Sequence, residues 1–206
     1  MDNLRQDLRF ALRQLWKRPA FSAIALGMLA LGIGANTAIF SVVYAVLLKP
    51  LPFNDPDRIV RIWESRVEQG WDRASVAPGN FWDLRDMNRA FEDLGAYRFS
   101  SANLTGIDHP ERLNTGRVTS GFFGQVLGVR PVLGRTFLPG EDQPGGEGRV
   151  ALLGNEFWHS RFGGDPSVLQ SSLTLDGESY TVVGVLPPGR PWLDYADVYL
   201  PMVRNP

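Results

Sequence analysis

One continuous stretch of the chain, residues 20–48, is apolar and contains no charged side chain. As an α-helix at ~1.5 Å per residue it would extend about 43 Å, whereas the hydrocarbon core of a bilayer is about 30 Å thick. The pattern therefore predicts a transmembrane helix over residues 20–48. A cleaved signal peptide is the rival interpretation, but its apolar core normally has about 7–15 residues, so an uncleaved anchor is favoured.

The segment before this stretch combines an apolar stripe and a basic stripe at helical spacing. The apolar stripe consists of Leu4, Leu8, Leu12, Leu15 and Trp16, and the basic stripe of Arg5, Arg9, Arg13 and Lys17. The pattern predicts an amphipathic helix over residues 1–19 that lies in the lipid headgroup layer. The alternative is a basic flank that only improves solubility.

Charge on either side of the apolar stretch predicts its orientation. Four arginines and Lys17 precede the stretch, together with only two aspartates. Lysine and arginine are retained on the cytoplasmic side of membranes. We therefore expect a cytoplasmic N-terminus and an extracytoplasmic location for residues 53–206.

Small residues lie on one face of the predicted transmembrane helix. The face comprises Ala30, Gly34, Ala38 and Ser41, with Thr37 beside it and Gly27 near its edge. Small residues at this spacing let two helices approach closely in lipid, so we expect partner transmembrane helices. Asn36 is strongly polar at membrane depth and should point into protein or water.

Residues 53–206 alternate between strand and helix patterns. Strands are predicted at residues 58–63, 97–104, 112–119, 149–153, 172–175, 178–185 and 197–200, and helices at 78–87, 121–127 and 155–162 with Asn155 as the cap. Asp176-Gly177 between alternating apolar runs indicates a β-hairpin with a type I′ turn. The order of elements favours an α+β domain. The acidic, glycine-rich residues 141–148 are predicted to be a locally disordered loop, and Trp63, Trp82 and Trp158 are expected in the core.

Composition narrows the possible functions. The net charge of the chain is −1. Residues 1–48 carry five positive and two negative charges, so residues 49–206 carry a net charge of −4. A domain with this negative charge is not expected to bind nucleic acid. There is no cysteine, and His109 and His159 lack metal-ligand spacing. No P-loop or nucleophile elbow is present. The sequence therefore predicts a protein that is not an enzyme and holds no cofactor or metal.

Several segments resemble one known family. They are LALGIGANTAIFSVV (residues 29–43), AVLLKPLP (45–52), VTSGFF (118–123), LGVRPVLGRTF (127–137), RFGGDP (161–166) and YTVVGVLPPG (180–189). These segments are similar to the first transmembrane helix and the periplasmic core domain of MacB/FtsX-type ABC transporter permeases, in the branch with a duplicated permease unit. The resemblance extends over nearly all 206 residues.

The resemblance implies a permease subunit in the bacterial inner membrane that works with a separate cytoplasmic ATPase. The helix between Leu4 and Trp16 would be the surface that couples to this ATPase, and residues 53–206 would change shape in response. Members of the family return to the membrane through further helices, and this sequence has no second span. We therefore expect either a fragment of a longer permease, with an incomplete core domain, or a truncated product.

Two other functions remain open from the sequence. The chain could be a single-pass anchored module that binds or senses a ligand outside the membrane. A membrane-tethered enzyme of the cell envelope is a weaker third interpretation.

Overall fold

The structure is a computed structural model that describes residues 6, 10, 13, 15–48, 53, 55–106, 109–145, 148–189 and 195–204. The chain divides into two compact units, Met1–Leu51 and Pro52–Pro206. Helices and strands together make an α+β protein, which confirms the fold class expected from the sequence. The two units are described separately below.

The first unit contains one long helix, α1, at Pro19–Val43, followed by a π-helical turn at Tyr44–Leu48. Proline suits the first helical position because its missing N–H has no partner there. Among the described residues, α1 is the one helix long and apolar enough to cross a membrane. Its side chains are exposed or half-exposed apart from that of Ser22.

The second unit is built mainly from β-strands. The first sheet pairs β1 (Glu64–Arg66) with β2 (Trp71–Ala74). The second contains β3 (Tyr97–Thr105), β4 (Glu111–Val118), β5 (Leu133–Gly134), β6 (Val150–Leu153), β7 (Ser172–Leu175), β8 (Glu178–Val185) and β9 (Val198–Pro201). Helix α2 spans Pro78–Asp86 and α3 spans Asn155–Phe162, and a π-helical turn covers Phe122–Val126.

The larger sheet closes on itself. Its order is β5-β8-β6-β9-β4-β3-β7, and β8 also pairs with β7. Strand β8 is long enough to pair with β7 through Glu178–Thr181 and with β6 through Thr181–Val185. Six strands therefore form a closed barrel, with β5 added along β8. Closure leaves no free edge around the ring, which protects the sheet from pairing with other chains.

Alternating residues of the barrel strands fill two separate apolar clusters. The interior cluster takes residues from every strand of the ring, including Leu104, Leu113, Leu153, Leu173, Val182 and Val198. The opposite face of the sheet, with Leu152 and Tyr199, packs against the π-helical turn. A third, smaller cluster of Phe81, Trp82 and Leu94 lies around α2. We call residues 55–96 the α2 lobe.

Most predicted elements are confirmed, including the hairpin. Asp176 (φ 49°) and Gly177 (φ 84°) both have positive φ, as a type I′ turn requires. Helix α3 begins where it was predicted, but Gly154 is its cap. The side chain of Asn155 instead donates a hydrogen bond to the carbonyl oxygen of Leu186 at 3.4 Å.

Three predictions are wrong. Residues 59–63 form no strand, because they have no partner strand among the described residues. Ile59 and Ile62, which are three residues apart, instead pack against two different apolar clusters. Trp63 is 39% exposed rather than a core residue. Glu141 and Asp142, expected in a disordered loop, are both buried.

Candidate functional site

The predicted packing face of α1 is open in the structure. A Cβ atom added to Gly27 or Gly34 would meet no atom within 4 Å. Ala30, Thr37, Ala38 and Ser41 are also exposed. The small residues therefore present a smooth surface to which another helix could approach, although their packing role stays a prediction.

The polar residues of α1 lie in two places. The hydroxyl of Ser41 donates to the carbonyl oxygen of Thr37 at 2.7 Å, so it is satisfied within its own helix. Asn36 is exposed and, at about 100° per residue, lies about 160° around the helix axis from Gly34. The structure therefore does not bring Asn36 to the small-residue face.

The predicted coupling helix is described only in part. Leu4, Arg5, Leu8, Arg9 and Leu12 lie outside the described residues. Arg13, Leu15 and Trp16 are helical and exposed, with Trp16 at 83%.

A joint separates this segment from α1, and the sequence patterns did not reveal it. Arg18 leaves the helical conformation, with φ −131° and ψ 69°. The hydroxyl of Ser22 spans the break, since it donates to the carbonyl oxygen of Leu15 at 2.9 Å. The N–H of Ser22 makes the first hydrogen bond of α1, to the carbonyl oxygen of Arg18 at 3.0 Å. The small, buried serine thus fixes the leader segment at the start of α1. The X-Pro pair at Arg18-Pro19 was the sequence signal for a helix boundary here.

A second candidate site lies in the outer domain around Asp142, whose side chain is fully buried. Its Oδ2 accepts hydrogen bonds from the N–H of Ser120 at 2.8 Å and from Nη1 of Arg85 at 3.2 Å. Its Oδ1 accepts a third from the side chain of Gln143 at 3.1 Å. Burial of a carboxylate is tolerated only with such partners.

The same cluster holds the segment that follows β9. The N–H of Arg204 donates to the carbonyl oxygen of Asp142 at 3.0 Å, and its guanidinium pairs with Asp86 at 2.9 Å. The guanidiniums of Arg85 and Arg204 lie 5.5 and 5.6 Å from the ring centre of Trp82. We call Arg85, Asp86, Asp142 and Arg204 the carboxylate clasp, because two carboxylates join the α2 lobe, a loop and the segment after β9.

A neighbouring ion pair supports the loop of the clasp. The carboxylate of Glu141 accepts hydrogen bonds from Nη1 and Nη2 of Arg135, at 3.0 and 2.7 Å, and from the N–H of Leu138 at 2.7 Å. This bidentate pair orients the two consecutive acidic residues, so that Asp142 turns inward. The only sequence signal was that acidic pair itself, which lies in a segment without periodicity.

The perturbed carboxyl groups of the domain stabilise turns. Hydrogen bonds from the backbone and side chain of Asn103 lower the pKa of Asp176, and those of Ser167 lower the pKa of Asp165. Hydrogen bonds from the side chain of Asn80 and the N–H of Ala77, both at the start of α2, lower the pKa of Glu64 in β1. Among the described residues, no group of three or more histidine, aspartate or glutamate side chains could hold a metal ion. The arrangement is suited to holding segments together rather than to acid–base chemistry.

Comparisons with known proteins identify relatives. The model of the MacB-like periplasmic core domain matches residues 22–205. A comparison with curated proteins gives no match. Among solved structures, the periplasmic region of MacB from Actinobacillus actinomycetemcomitans is similar with a TM-score of 0.52 and 12% identity, over 68% of this chain and 63% of that one. The extracellular domain of YknZ, an ABC-type transporter of Gram-positive bacteria, aligns with a TM-score of 0.42 and 21% identity, over 52% of this chain and 53% of that one. The chain thus spans between about half and two thirds of the length of these structures.

Proposed function

Because the chain belongs to the family of the MacB-like periplasmic core domain, we propose that it is a non-catalytic permease subunit of an ABC-type transporter or mechanotransmission complex. In this function it couples a separate cytoplasmic ATPase to an extracytoplasmic domain. One observation carries the proposal: the family match runs without a break from Ser22, inside the apolar helix α1, to residue 205.

The proposed mechanism assigns a role to each part of the chain. Residues 1–19 lie at the cytoplasmic surface and receive the movement of the ATPase, residues 20–48 cross the inner membrane, and residues 53–206 form the periplasmic domain. Coupling requires that the domain has two arrangements, and that the nucleotide state of the ATPase biases them differently.

The joint at Ser22 supports this assignment. Movement of the leader can reach α1 only if the connection between them is fixed rather than freely flexible. One hydrogen bond, from the hydroxyl of the buried Ser22 to the carbonyl oxygen of Leu15, provides such a connection across the break at Arg18. The exposed Trp16 and Leu15 leave an apolar surface available on the leader for the ATPase.

The small-residue face of α1 supports the presence of partner transmembrane helices. Gly27 and Gly34 have no neighbouring atom within 4 Å at their Cβ positions. In lipid, such a surface favours close packing of a second helix through dispersion contacts. We propose that other helices of the same permease assembly occupy it.

The topology can be tested with reporter fusions after residue 3 and after residue 206. We expect the two reporters to lie on opposite sides of the membrane, with the first in the cytoplasm, because five cations precede α1. Reporters on the same side would contradict the proposed topology.

The coupling itself can be tested by site-specific photocrosslinking in host membranes. A benzophenone side chain replaces Trp16 in one variant and Val67, an exposed residue of the outer domain, in the control. We expect Trp16 alone to crosslink to a polypeptide that mass spectrometry identifies as an ABC ATPase with a P-loop.

Crosslinks from Trp16 to lipid alone would contradict the coupling proposal. That outcome would favour a single-pass anchored binding or sensor module, because such a module needs no cytoplasmic partner. An ATPase crosslinked equally from Val67 would also contradict it, since residues on opposite sides of the membrane cannot contact the same cytoplasmic subunit.

A further inference from the structure

The outer surface of the barrel carries an open cleft of about 370 Å³ on strands β3 and β4. Its lining residues are Phe99, Ser100, Ser101, Arg112, Asn114 and Tyr195. The strand register pairs Ser101 with Asn114, so the two lie side by side. Because successive side chains of a strand alternate between faces, Phe99, Ser101, Arg112 and Asn114 lie on the face opposite the one that fills the barrel with Ala102 and Leu113.

Two aromatic rings form one wall of the cleft. The ring centres of Phe99 and Tyr195 lie 4.6 Å apart with planes inclined by 57°. Phe99 is 37% exposed and Tyr195 is 60% exposed. Inclined, exposed rings leave their faces available for a flat ring, and aromatic faces are the usual apolar component of ligand sites.

The cleft also carries a cation for which the described part of the chain supplies no carboxylate partner. Arg112 is exposed, and none of the ion pairs among the described residues includes it. Its Nε and Nη2 donate to the hydroxyl of Ser101 at 3.1 and 2.8 Å. A hydroxyl orients the guanidinium but does not neutralise its charge. The remaining N–H groups of Arg112 form the planar fork that matches a carboxylate.

The floor of the cleft adds a polar group whose backbone is already fixed. The N–H of Asn114 donates to Oδ2 of Asp197 at 2.8 Å, and the N–H of Asp197 donates to the carbonyl oxygen of Asn114 at 2.8 Å. These two bonds use the backbone groups of Asn114 and one carboxylate oxygen of Asp197. The side-chain amide of Asn114 has no hydrogen-bond partner among the described residues, so it can bind a ligand hydroxyl or carbonyl.

From these features we propose that the cleft is a binding site for a small ligand that has a six-membered ring able to stack on an aromatic face, with a hydroxyl on the ring and a carboxylate on or next to it. The ring lies against Phe99 and Tyr195, the carboxylate pairs with Arg112, and a hydroxyl of the ligand bonds to the amide of Asn114. Both a sugar acid and an aromatic acid have this chemistry. The test of this site does not depend on the proposed coupling to an ATPase, because the binding measurement contains no ATPase.

The two sources can be distinguished by saturation-transfer NMR on the full chain in nanodiscs. The probes are D-galacturonate and 4-hydroxyphenylacetate, each compared with its neutral counterpart, D-galactose and 4-hydroxyphenylacetamide. We expect at least one acid to saturate with a dissociation constant of about 1 mM, the range for a single-ring ligand. Its neutral counterpart should bind at least tenfold more weakly. Galacturonate alone would identify a sugar acid, and 4-hydroxyphenylacetate alone an aromatic acid.

Matched variants locate the site. Arg112→Gln and Arg98→Gln remove the same charge from neighbouring strands, but Arg98 is exposed on the face of β3 opposite Phe99. We expect Arg112→Gln to weaken binding of the acid at least tenfold and Arg98→Gln to change it less than twofold. Tyr195→Ala should weaken it at least threefold.

Two outcomes would overturn the proposal. One is that neither acid binds saturably, or that each acid binds no more tightly than its neutral counterpart. The other is equal loss of binding in Arg112→Gln and Arg98→Gln, which would indicate attraction by overall charge rather than a site.

Discussion

Replacing Asp142 by alanine should destabilise the outer domain more than any other single change in the carboxylate clasp. The substitution leaves the buried N–H of Ser120 without an acceptor, which costs about 1–3 kcal/mol. It also leaves Arg85 without its carboxylate. Because the side chain of Arg85 is 24% exposed, water can partly replace the lost partner, so its share is less than the 3–5 kcal/mol typical of a fully buried pair. Together we expect a loss of roughly 3 kcal/mol.

Thermal unfolding of the full chain in detergent, followed by tryptophan fluorescence, measures this loss. For a domain of this size, 1 kcal/mol corresponds to about 2–4 °C, so Asp142→Ala should lower Tm by roughly 9 °C. Asp142→Asn keeps an oxygen for Ser120 and should lose about half as much.

The matched control is Asp86→Ala, which removes the other carboxylate of the clasp. Asp86 is 55% exposed, so its pair with Arg204 should contribute less than about 1 kcal/mol. If Asp142→Ala and Asp86→Ala lowered Tm equally, the reasoning from burial would be refuted.

Three further predictions concern α1 and the β7–β8 hairpin. Gly34→Leu should reduce co-purification with partner transmembrane helices more than Leu29→Ala does, because a bulky side chain would hold the helices apart. Equal retention of the partner helices by both variants would mean that this face is not an interface. Asp176→Ala should lower the midpoint of chemical unfolding, since it removes the acceptor of two hydrogen bonds from Asn103 and places alanine at φ 49°. Asp176→Asn should lower it less, because asparagine keeps an acceptor oxygen and tolerates positive φ. Hydrogen bonding lowers the pKa of Asp176 in the folded state. The ionised carboxylate therefore contributes to stability above the ordinary pKa of 3.8, and this contribution is lost as pH falls through the pKa of the folded state. Asp176→Asn should therefore flatten the dependence of stability on pH on the acid side.

The sequence was most informative where the signal is local. The type I′ turn at Asp176-Gly177 follows from two adjacent residues, and α2 follows from Pro78 and the apolar spacing behind it. Both elements depend on contacts within a few residues, which a pattern can record. The apolar stretch of α1 is of the same kind, since its length and composition alone decide whether it can cross a bilayer.

The rest depended on contacts that are distant in sequence. Two partners of Asp142, Ser120 and Arg85, are 22 and 57 residues away, so the local sequence does not distinguish a buried carboxylate from an exposed loop residue. Barrel closure likewise depends on one strand, β8, pairing with β7 and β6 at successive positions. Residues 59–63 show the opposite error: their apolar residues suggested a strand, but the two half-buried ones, Ile59 and Ile62, are three residues apart. The described structure also offers no strand with which the segment could pair.

The location of the clasp indicates where the outer domain could have the two arrangements that coupling requires. The ring of six strands has no free edge, so changing its shape would break ladder hydrogen bonds along whole strands. The α2 lobe has its own apolar cluster, and the clasp joins it to the barrel side through one buried ion pair and one exposed pair. Rearranging the lobe would leave the ladders of the ring in place. It would break the two ion pairs, the packing of Ile59 on the outer face of the sheet, and the hydrogen bonds between Ala96 and Thr119. We therefore expect the outer domain to change shape by displacement of the α2 lobe, with the ring of six strands kept intact.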